Sequence, residues 1–446
     1  MRAAQRVAAT ARPHQALARQ PPQLATLVRR DLASCAKLTL SNLLVSNQSL
    51  SGDPVPRTSK GKMNPFRYGD VVTDHLFTDR QDELAALETD IRSGQNAVLL
   101  SPRRFGKTSL VTEAVARLRA DDVLVAYVDL LRATTKTELA GALATALHHG
   151  LVSPFEQAIH RLSDVFGDLP LTPKLTFPTN QQGTVTPTFE FGVSSTPEDA
   201  DATLQQLLAM PAQVAAKRRR RTALVLDEFQ AVLDIDPTLP RRMRAVFQFQ
   251  AEVSHVYLGS KQHLLHKVFT DVNEPLYNSA RVFPLAAIAV DRFRPFIHER
   301  FLSTGLAIKP DAIDRLLEVT QGHPHDTQKL AYFVWNLAQT GAHDATVADV
   351  ELALQQVLTT DTARWTEIWE SLTPYRRHVL ELVARHGSRE DLLSSRFRET
   401  HGLKSYAAVA DALESLVDRS LIERIDREHY AVPDVFMALW LRSTSS

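Results

Sequence analysis

Apolar residues along this chain follow two patterns, short unbroken runs and longer segments with helical spacing. The unbroken runs at residues 96–100, 123–130, 222–227 and 253–260 are typical of strands buried on both faces of a parallel sheet. Between them, apolar residues return every three or four positions, which predicts amphipathic helices. Strands that alternate with helices predict a right-handed parallel α/β sheet, and a last strand is expected at residues 283–288.

Three other patterns predict the rest of the organisation. Short alternating pieces within residues 165–200 predict a β-hairpin inserted into the α/β domain. Residues 291–360 have helical spacing almost throughout, which predicts a helical lid domain. Residues 365–446 predict three helices and then two short strands around Asp426 and Arg427, the order of a winged helix. The α/β domain therefore covers residues 63–290, after a leader of residues 1–62.

The loop after the first strand carries the strongest chemical signal. A strand, a turn with Gly-Lys-Thr and then a helix are typical of the phosphate-binding loop of nucleotide hydrolases. Backbone N–H groups and the positive helix end surround phosphate oxygens in such loops. We predict that the phosphates of ATP are bound by Ser101, Pro102, Arg103, Arg104, Phe105, Gly106, Lys107, Thr108 and Ser109.

Two residues of this phosphate loop (residues 101–109) have predicted chemical roles. Lys107 would reach the terminal phosphates during catalysis, and the Thr108 hydroxyl would bind Mg²⁺. Ser101 stands where the usual pattern has its first glycine, and serine can serve there if its φ is negative. The alternative is a chance Gly-Lys-Thr after a strand.

A second motif lies 120 residues after Lys107. The apolar run at residues 222–226 ends in Asp227 and Glu228, and ligands bind at the carboxyl ends of parallel strands. Asp227 would then support the Mg²⁺ shell, and Glu228 would act as the general base on the attacking water. The alternative is that the two acids begin a helix. If the strand ending at Gly259 lies between the other two, Ser260 would contact the γ-phosphate.

Composition bounds the class of protein more than its function. The 446 residues are 44% hydrophobic, and 51 basic residues balance 51 acidic ones, so the net charge indicates no particular partner. A single cysteine, Cys35, excludes a disulfide within one chain and fits a reducing compartment. No apolar run approaches the roughly 18 residues of a membrane span. We expect a cytoplasmic protein without membrane contact.

The leader is basic, with ten Lys or Arg residues against two acids. We expect a disordered tail or an over-long reading frame, with Met63 as the true start. Its composition also suits an organellar targeting segment.

A basic run and the winged helix raise the question of DNA. The run at residues 217–221 suits either a linker at a helix end or a nucleic-acid patch. The third helix of the winged helix carries Asp411, Glu414 and Asp418, which oppose phosphate. We therefore favour a packing or partner-docking role for that domain over DNA contact.

Taken together, the motifs resemble the archaeal-type ATPase family, among signal-transducing ATPases with P-loop, helical and winged-helix domains. The resemblance covers residues 63–446, and its carriers are residues 64–66, 77–84, 102–109, 227–230, 259–260 and 322–324. It implies that ATP and Mg²⁺ are the cofactors, that Arg80 lines the adenine pocket, and that Pro324 lies near the adenine.

Three functions remain open at this stage. The leading one is an ATPase that acts as an ATP-dependent conformational switch, with slow hydrolysis. The second is a DNA-associated ATPase built like replication initiators, and the third is a nucleotide-stabilised scaffold with little turnover. A homo-oligomer or another protein is the expected kind of partner, and the sequence does not choose between them.

Overall fold

The computed structural model describes residues 63–69, 80–151, 171–176, 188–193 and 197–444. The predicted leader, residues 1–62, lies outside them, as do residues 77–79 of the family resemblance and the connecting loop of the predicted hairpin. Among the described residues, no helix combines the length and the apolar composition needed to cross a bilayer.

A five-stranded parallel sheet forms the centre of the α/β domain. Its strands are β1 (Ala97–Leu100), β2 (Leu124–Asp129), β5 (Thr222–Asp227), β6 (Val253–Gly259) and β7 (Arg281–Pro284). Their order across the sheet is β2-β5-β6-β1-β7. Strand β6 therefore lies between β1 and β5, which was the condition for placing Ser260 near the phosphates. The last strand begins and ends earlier than residues 283–288, where the sequence pattern placed it.

Helices cover both faces of this sheet and bury β1, β5 and β6 on both sides. Alternate residues of β1 enter different cores: Ala97 and Leu99 pack in one, Val98 and Leu100 in the other. The helices of this domain are α1 (Gln81–Arg92), α2 (Lys107–Ala120), α3 (Lys136–Leu151), α4 (Pro197–Arg218), α5 (Ala231–Ile235), α6 (Leu239–Phe247) and α7 (Gln262–Thr270).

The predicted hairpin and the basic run both have clear places. Strands β3 (Leu171–Thr176) and β4 (Thr188–Val193) pair antiparallel, which confirms a hairpin between α3 and α4. The basic run ends α4, and its last two arginines pair with acids across the fold. The Arg220 guanidinium lies beside Asp122, and that of Arg221 lies 2.9 Å from Glu252. These pairings fit the linker reading better than a free basic patch.

The lid and the winged helix share one hydrophobic core. The lid contains α8 (Val290–Ser303), α9 (Pro310–Thr320), α10 (Pro324–Gly341) and α11 (Val347–Glu370). The winged helix contains α12 (Pro374–His386), α13 (Ser395–Thr400), α14 (Tyr406–Asp418), β8 (Glu423–Arg424), β9 (Tyr430–Ala431) and α15 (Val435–Thr444). A single cluster of buried side chains runs from Phe293 through Trp365 to Leu441. Helix α11 crosses residues 360–365 without a break, because Trp365 is buried in that core.

Candidate functional site

The carboxyl ends of β1, β5 and β6 open into a cavity of about 570 Å³ between the sheet and the lid. Parallel α/β sheets bind ligands at this edge. Seven of the predicted loop residues line the cavity: Arg103, Arg104, Phe105, Gly106, Lys107, Thr108 and Ser109. Glu228, Ser260, Arg80 and Pro324 line it as well. The predicted residues therefore meet around this cavity, apart from Ser101, Pro102 and Asp227, which do not line it.

The backbone of the phosphate loop adopts a conformation at residue 106 that favours glycine. Gly106 precedes α2 with φ 84, and a Cβ there would meet no atom within 4 Å, so conformation rather than space favours glycine. Ser101 replaces the usual first glycine without a positive φ, and its side chain is 1% exposed. Pro102 faces a separate cleft beside the winged helix.

Lys107 is held inside its own loop. Its Nζ donates to the Ser101 carbonyl at 2.6 Å, the Pro102 carbonyl at 2.7 Å and the Ser101 hydroxyl at 3.1 Å. The side chain is 7% exposed, and this burial lowers the pKa of the ammonium to about 8, against the opposing charges of Glu228 and Asp227. A buried cation whose hydrogen-bond partners among the described residues are all neutral is suited to receive an anion.

Thr108 and Asp227 are linked by a residue that the sequence analysis missed. The Tyr127 hydroxyl donates to Asp227 Oδ2 and lies close to the Thr108 side chain. Asp227 is buried, its Oδ1 accepts from the Glu228 N–H at 2.8 Å, and burial raises the pKa of its carboxyl. The Thr108 hydroxyl and the buried Asp227 carboxylate both lie close to Tyr127. Together they offer the oxygen ligands that Mg²⁺ prefers. A tyrosine within an otherwise apolar strand was the available signal.

Glu228 is fixed at the end of β5 by an unusual backbone and several donors. Its φ is 52, in the left-handed region. Its Oε2 accepts from the Ser260 hydroxyl at 2.9 Å, from the Ser260 N–H at 3.3 Å and from Gln230 Nε2. The Ser260 hydroxyl, which we predicted to contact the γ-phosphate, is therefore bonded to Glu228. Gln230 is a further site residue that the sequence analysis quoted without giving it a role.

Arg80 and Pro324 also line the cavity. Arg80 is 4% exposed, and its guanidinium donates to the carbonyls of Phe105 at 3.2 Å and Ala286 at 2.7 Å. It therefore ties the phosphate loop to the segment that leads into the lid. Pro324 is the first residue of α10, and Tyr68, Ile288 and His325 line the cavity near the lid.

Comparisons with known proteins agree with this architecture. A family model described as an ATPase domain predominantly from Archaea matches residues 77–330, and one described as a probable winged helix domain matches residues 363–443. The Walker-type ATPase PABY2304 of Pyrococcus abyssi is 18% identical, with a TM-score of 0.57 over 83% of this chain and 97% of that chain. At that identity the likeness shows a shared fold.

Two further structures are more distant. The Aeropyrum pernix ORC1 protein in complex with DNA is 16% identical, with a TM-score of 0.44 over 83% of this chain and 94% of that chain. The RuvB Holliday junction branch migration motor of Thermotoga maritima is 13% identical, with a TM-score of 0.40 over 80% and 93%. No curated protein matches the chain. Because the first family model covers more than half of its residues, the chain belongs to the family of ATPase domains found predominantly in Archaea.

Proposed function

We propose that this protein binds ATP with Mg²⁺ in the cavity at the sheet edge, hydrolyses it slowly, and uses binding and hydrolysis to change the position of its winged helix. The observation that carries the proposal is the meeting of Lys107, Glu228 and Ser260 around one cavity of about 570 Å³. Experiments on Lys107 and Glu228, given in the Discussion, test it directly.

Each group has a distinct part in this chemistry. Lys107 leaves the carbonyls of its own loop and binds the terminal phosphates, while N–H groups of the phosphate loop bind the others. Glu228 accepts a proton from the water that attacks the γ-phosphorus. Thr108 and Asp227 would hold Mg²⁺, which neutralises charge on the phosphate oxygens when bound.

The lid end of the cavity receives the base in this proposal. Arg80 and Pro324 line the cavity, and Gly322, two residues before Pro324, contacts Ile288 of the segment that leads into the lid. Gly322 has φ +71, its carbonyl accepts from the Ile288 N–H at 2.9 Å, and an added Cβ would lie 2.2 Å from the Ile288 carbonyl oxygen. Any side chain at this position therefore pushes Ile288 and Pro324 apart.

Gly322→Ala should weaken ATP binding by on the order of tenfold, because the base end of the cavity loses its shape. Calorimetric titration with a slowly hydrolysed ATP analogue measures the change. Gly402→Ala is the matched control, since Gly402 has φ +62 but nothing within 4 Å of an added Cβ. Equal affinities for the two variants would contradict the assignment of the base end.

The conformational part of the proposal rests on the wing, which we define as residues 421–432. The wing and the phosphate loop line a cleft of about 480 Å³, where Glu423 of β8 lies opposite Pro102 and Arg103. Burial raises the pKa of the Glu423 carboxyl to about 7, and the Lys107 charge opposes that rise. A triphosphate on Lys107 brings negative charge toward this carboxylate, so nucleotide binding disfavours the docked wing.

The wing contact should depend on pH. The pKa of Glu423 is higher in the docked state, about 7, than its ordinary value of 4.5, so docking is strongest below about pH 4.5 and weakens as the pH rises to about 7. We expect the mean distance between spin labels on Lys267 of α7 and Asp411 of α14 to increase over that range, in a Cys35→Ser background. An ATP analogue should lengthen it further.

Glu423→Gln should remove this pH dependence, because the neutral amide does not titrate. Glu428→Gln, at an exposed glutamate of the wing, is the control and should keep it. If the distance in the unaltered protein is the same with and without nucleotide, the switch proposal is wrong. The proposal that the protein hydrolyses ATP would stand.

The charges around α14 support the packing or partner-docking reading over DNA contact. Asp418 lies 3.6 Å from His263 of α7, so the end of this helix already faces the ATPase domain. A gel-shift assay at low salt tests the point: tight DNA binding whose affinity falls steeply with salt would favour the initiator-like function.

A further inference from the structure

We propose that Gln230 is a positioning residue for hydrolysis, which holds one oxygen of Glu228 and leaves the other directed to the attacking water. The inference rests on the proposed function, because it assigns a role within that same site. It gives Gln230, the glutamine of the Asp-Glu-Phe-Gln segment, the role of orienting the Glu228 carboxylate.

The first observation is how unevenly the Glu228 carboxylate is bonded. Oε2 accepts three hydrogen bonds, one from Gln230 Nε2 and two from Ser260. Among the described residues, no hydrogen bond reaches Oε1. Glu228 lines the cavity, so the oxygen without a protein donor is the one available to a water molecule there.

The second observation concerns the other end of the same amide. Gln230 is 5% exposed, and its Oε1 is buried without a hydrogen-bond partner among the described residues. A buried carbonyl oxygen without a donor is destabilising, and an apolar side chain of similar size would avoid that penalty. A glutamine at this position is therefore explained by its N–H group, which reaches Glu228.

The third observation is the space that admits this side chain. A Cβ added to Gly259 would lie 2.3 Å from Gln230 Oε1 and 2.2 Å from Leu265 Cδ1. The amide is thus confined between the end of β6 and α7 and cannot rotate freely. Glycine at position 259 is what lets Gln230 lie beneath the carboxylate.

The backbone under Glu228 is held equally firmly. The Phe229 N–H donates to the Leu258 carbonyl at 2.8 Å, and the Phe229 ring is fully buried against Tyr257 and Phe269. The remaining freedom of Glu228 is rotation of its side chain, and terminal carboxylate rotation is broad in general. Donors on one oxygen restrict that rotation, so the carboxylate is oriented before ATP arrives.

Gln230→Met tests this role, because methionine keeps the length and loses the donor. We expect kcat for ATP hydrolysis to fall on the order of tenfold, with the Kd for a slowly hydrolysed ATP analogue unchanged within about twofold. Gln230→Glu keeps the shape and replaces the donor with an acceptor, so its kcat should fall at least as far. Thermal unfolding of both variants verifies that they fold.

A double-mutant cycle distinguishes positioning from general damage. In a Glu228→Gln background, Gln230→Met should lower kcat no further, because the group that it orients is already lost. Gln250→Met is the matched control: this buried glutamine donates to the Leu208 carbonyl at 2.8 Å, and its loss should lower the melting temperature while kcat is kept.

The outcomes distinguish the positioning role of Gln230 from the proposed ATPase activity. If Gln230→Met and Gln230→Glu hydrolyse ATP at the normal rate, or lower kcat equally with and without Glu228, the positioning role is overturned and the ATPase proposal stands. If Glu228→Gln itself hydrolyses ATP normally, the proposed base is wrong, and that result is read from the single variant alone.

Discussion

Lys107→Ala is expected to lose ATP binding, with the dissociation constant raised about 100-fold or more. The Lys107 ammonium is the buried cation of the phosphate loop, and alanine removes both its charge and its three hydrogen bonds. The carbonyls of Ser101 and Pro102 would then lose their donor as well. Titration calorimetry with a slowly hydrolysed ATP analogue measures the loss.

The control for this variant is Lys267→Ala, at an exposed lysine of α7 that lies outside the cavity.

The affinity for ATP should also depend on pH, since burial holds the pKa of Lys107 near 8. The unaltered protein should bind ATP less tightly as the pH rises through about 8, because the free ammonium loses its proton there. Lys107→Ala should lack that dependence, and unchanged ATP affinity in this variant would remove the basis of the site.

The Glu228→Gln variant should bind ATP normally and hydrolyse it on the order of 100-fold to 1,000-fold more slowly. Glutamine keeps the size of the side chain, and its carbonyl oxygen can still accept from the Ser260 hydroxyl. It has no carboxylate to take a proton from water. Phosphate release at saturating ATP gives the rate, and the Kd for the analogue shows whether binding is intact.

Glu252→Gln is the matched control, since Glu252 is exposed beside Arg221 at the amino end of β6. It should hydrolyse ATP at the unaltered rate. A normal rate in Glu228→Gln would mean that another group activates the water. Tight ATP binding with no phosphate release in the unaltered protein would instead favour the nucleotide-stabilised scaffold.

Local patterns were sufficient to predict the strands and loop that meet at the cavity. The apolar runs gave β1, β5 and β6, and the Gly-Lys-Thr turn gave the start of α2, because each depends on residues that are neighbours in sequence. Ser101 in place of glycine is also understandable: its φ is not positive, so the usual reason for glycine does not apply.

Contacts between distant segments could not be predicted in the same way. Tyr127 reaches Asp227 only because β2 pairs with β5 in the register that places Asp129 opposite Asp227. The contact of the wing with the phosphate loop depends on how whole domains pack. The continuation of α11 beyond residue 360 was not predicted, because its buried residues, such as Trp365, lie in a core that the lid and the winged helix share.

The shared core of the lid and the winged helix has a mechanical consequence. Pro324 lines the cavity and Glu423 lines the neighbouring cleft, yet α10 and the wing both contribute side chains to the same continuous core. Close-packed interiors resist internal deformation, so we expect these two residues to move together as one rigid body relative to the sheet. A displacement of the lid by a bound nucleotide would then displace the wing by the same rotation, so that lid opening and wing undocking would be a single event.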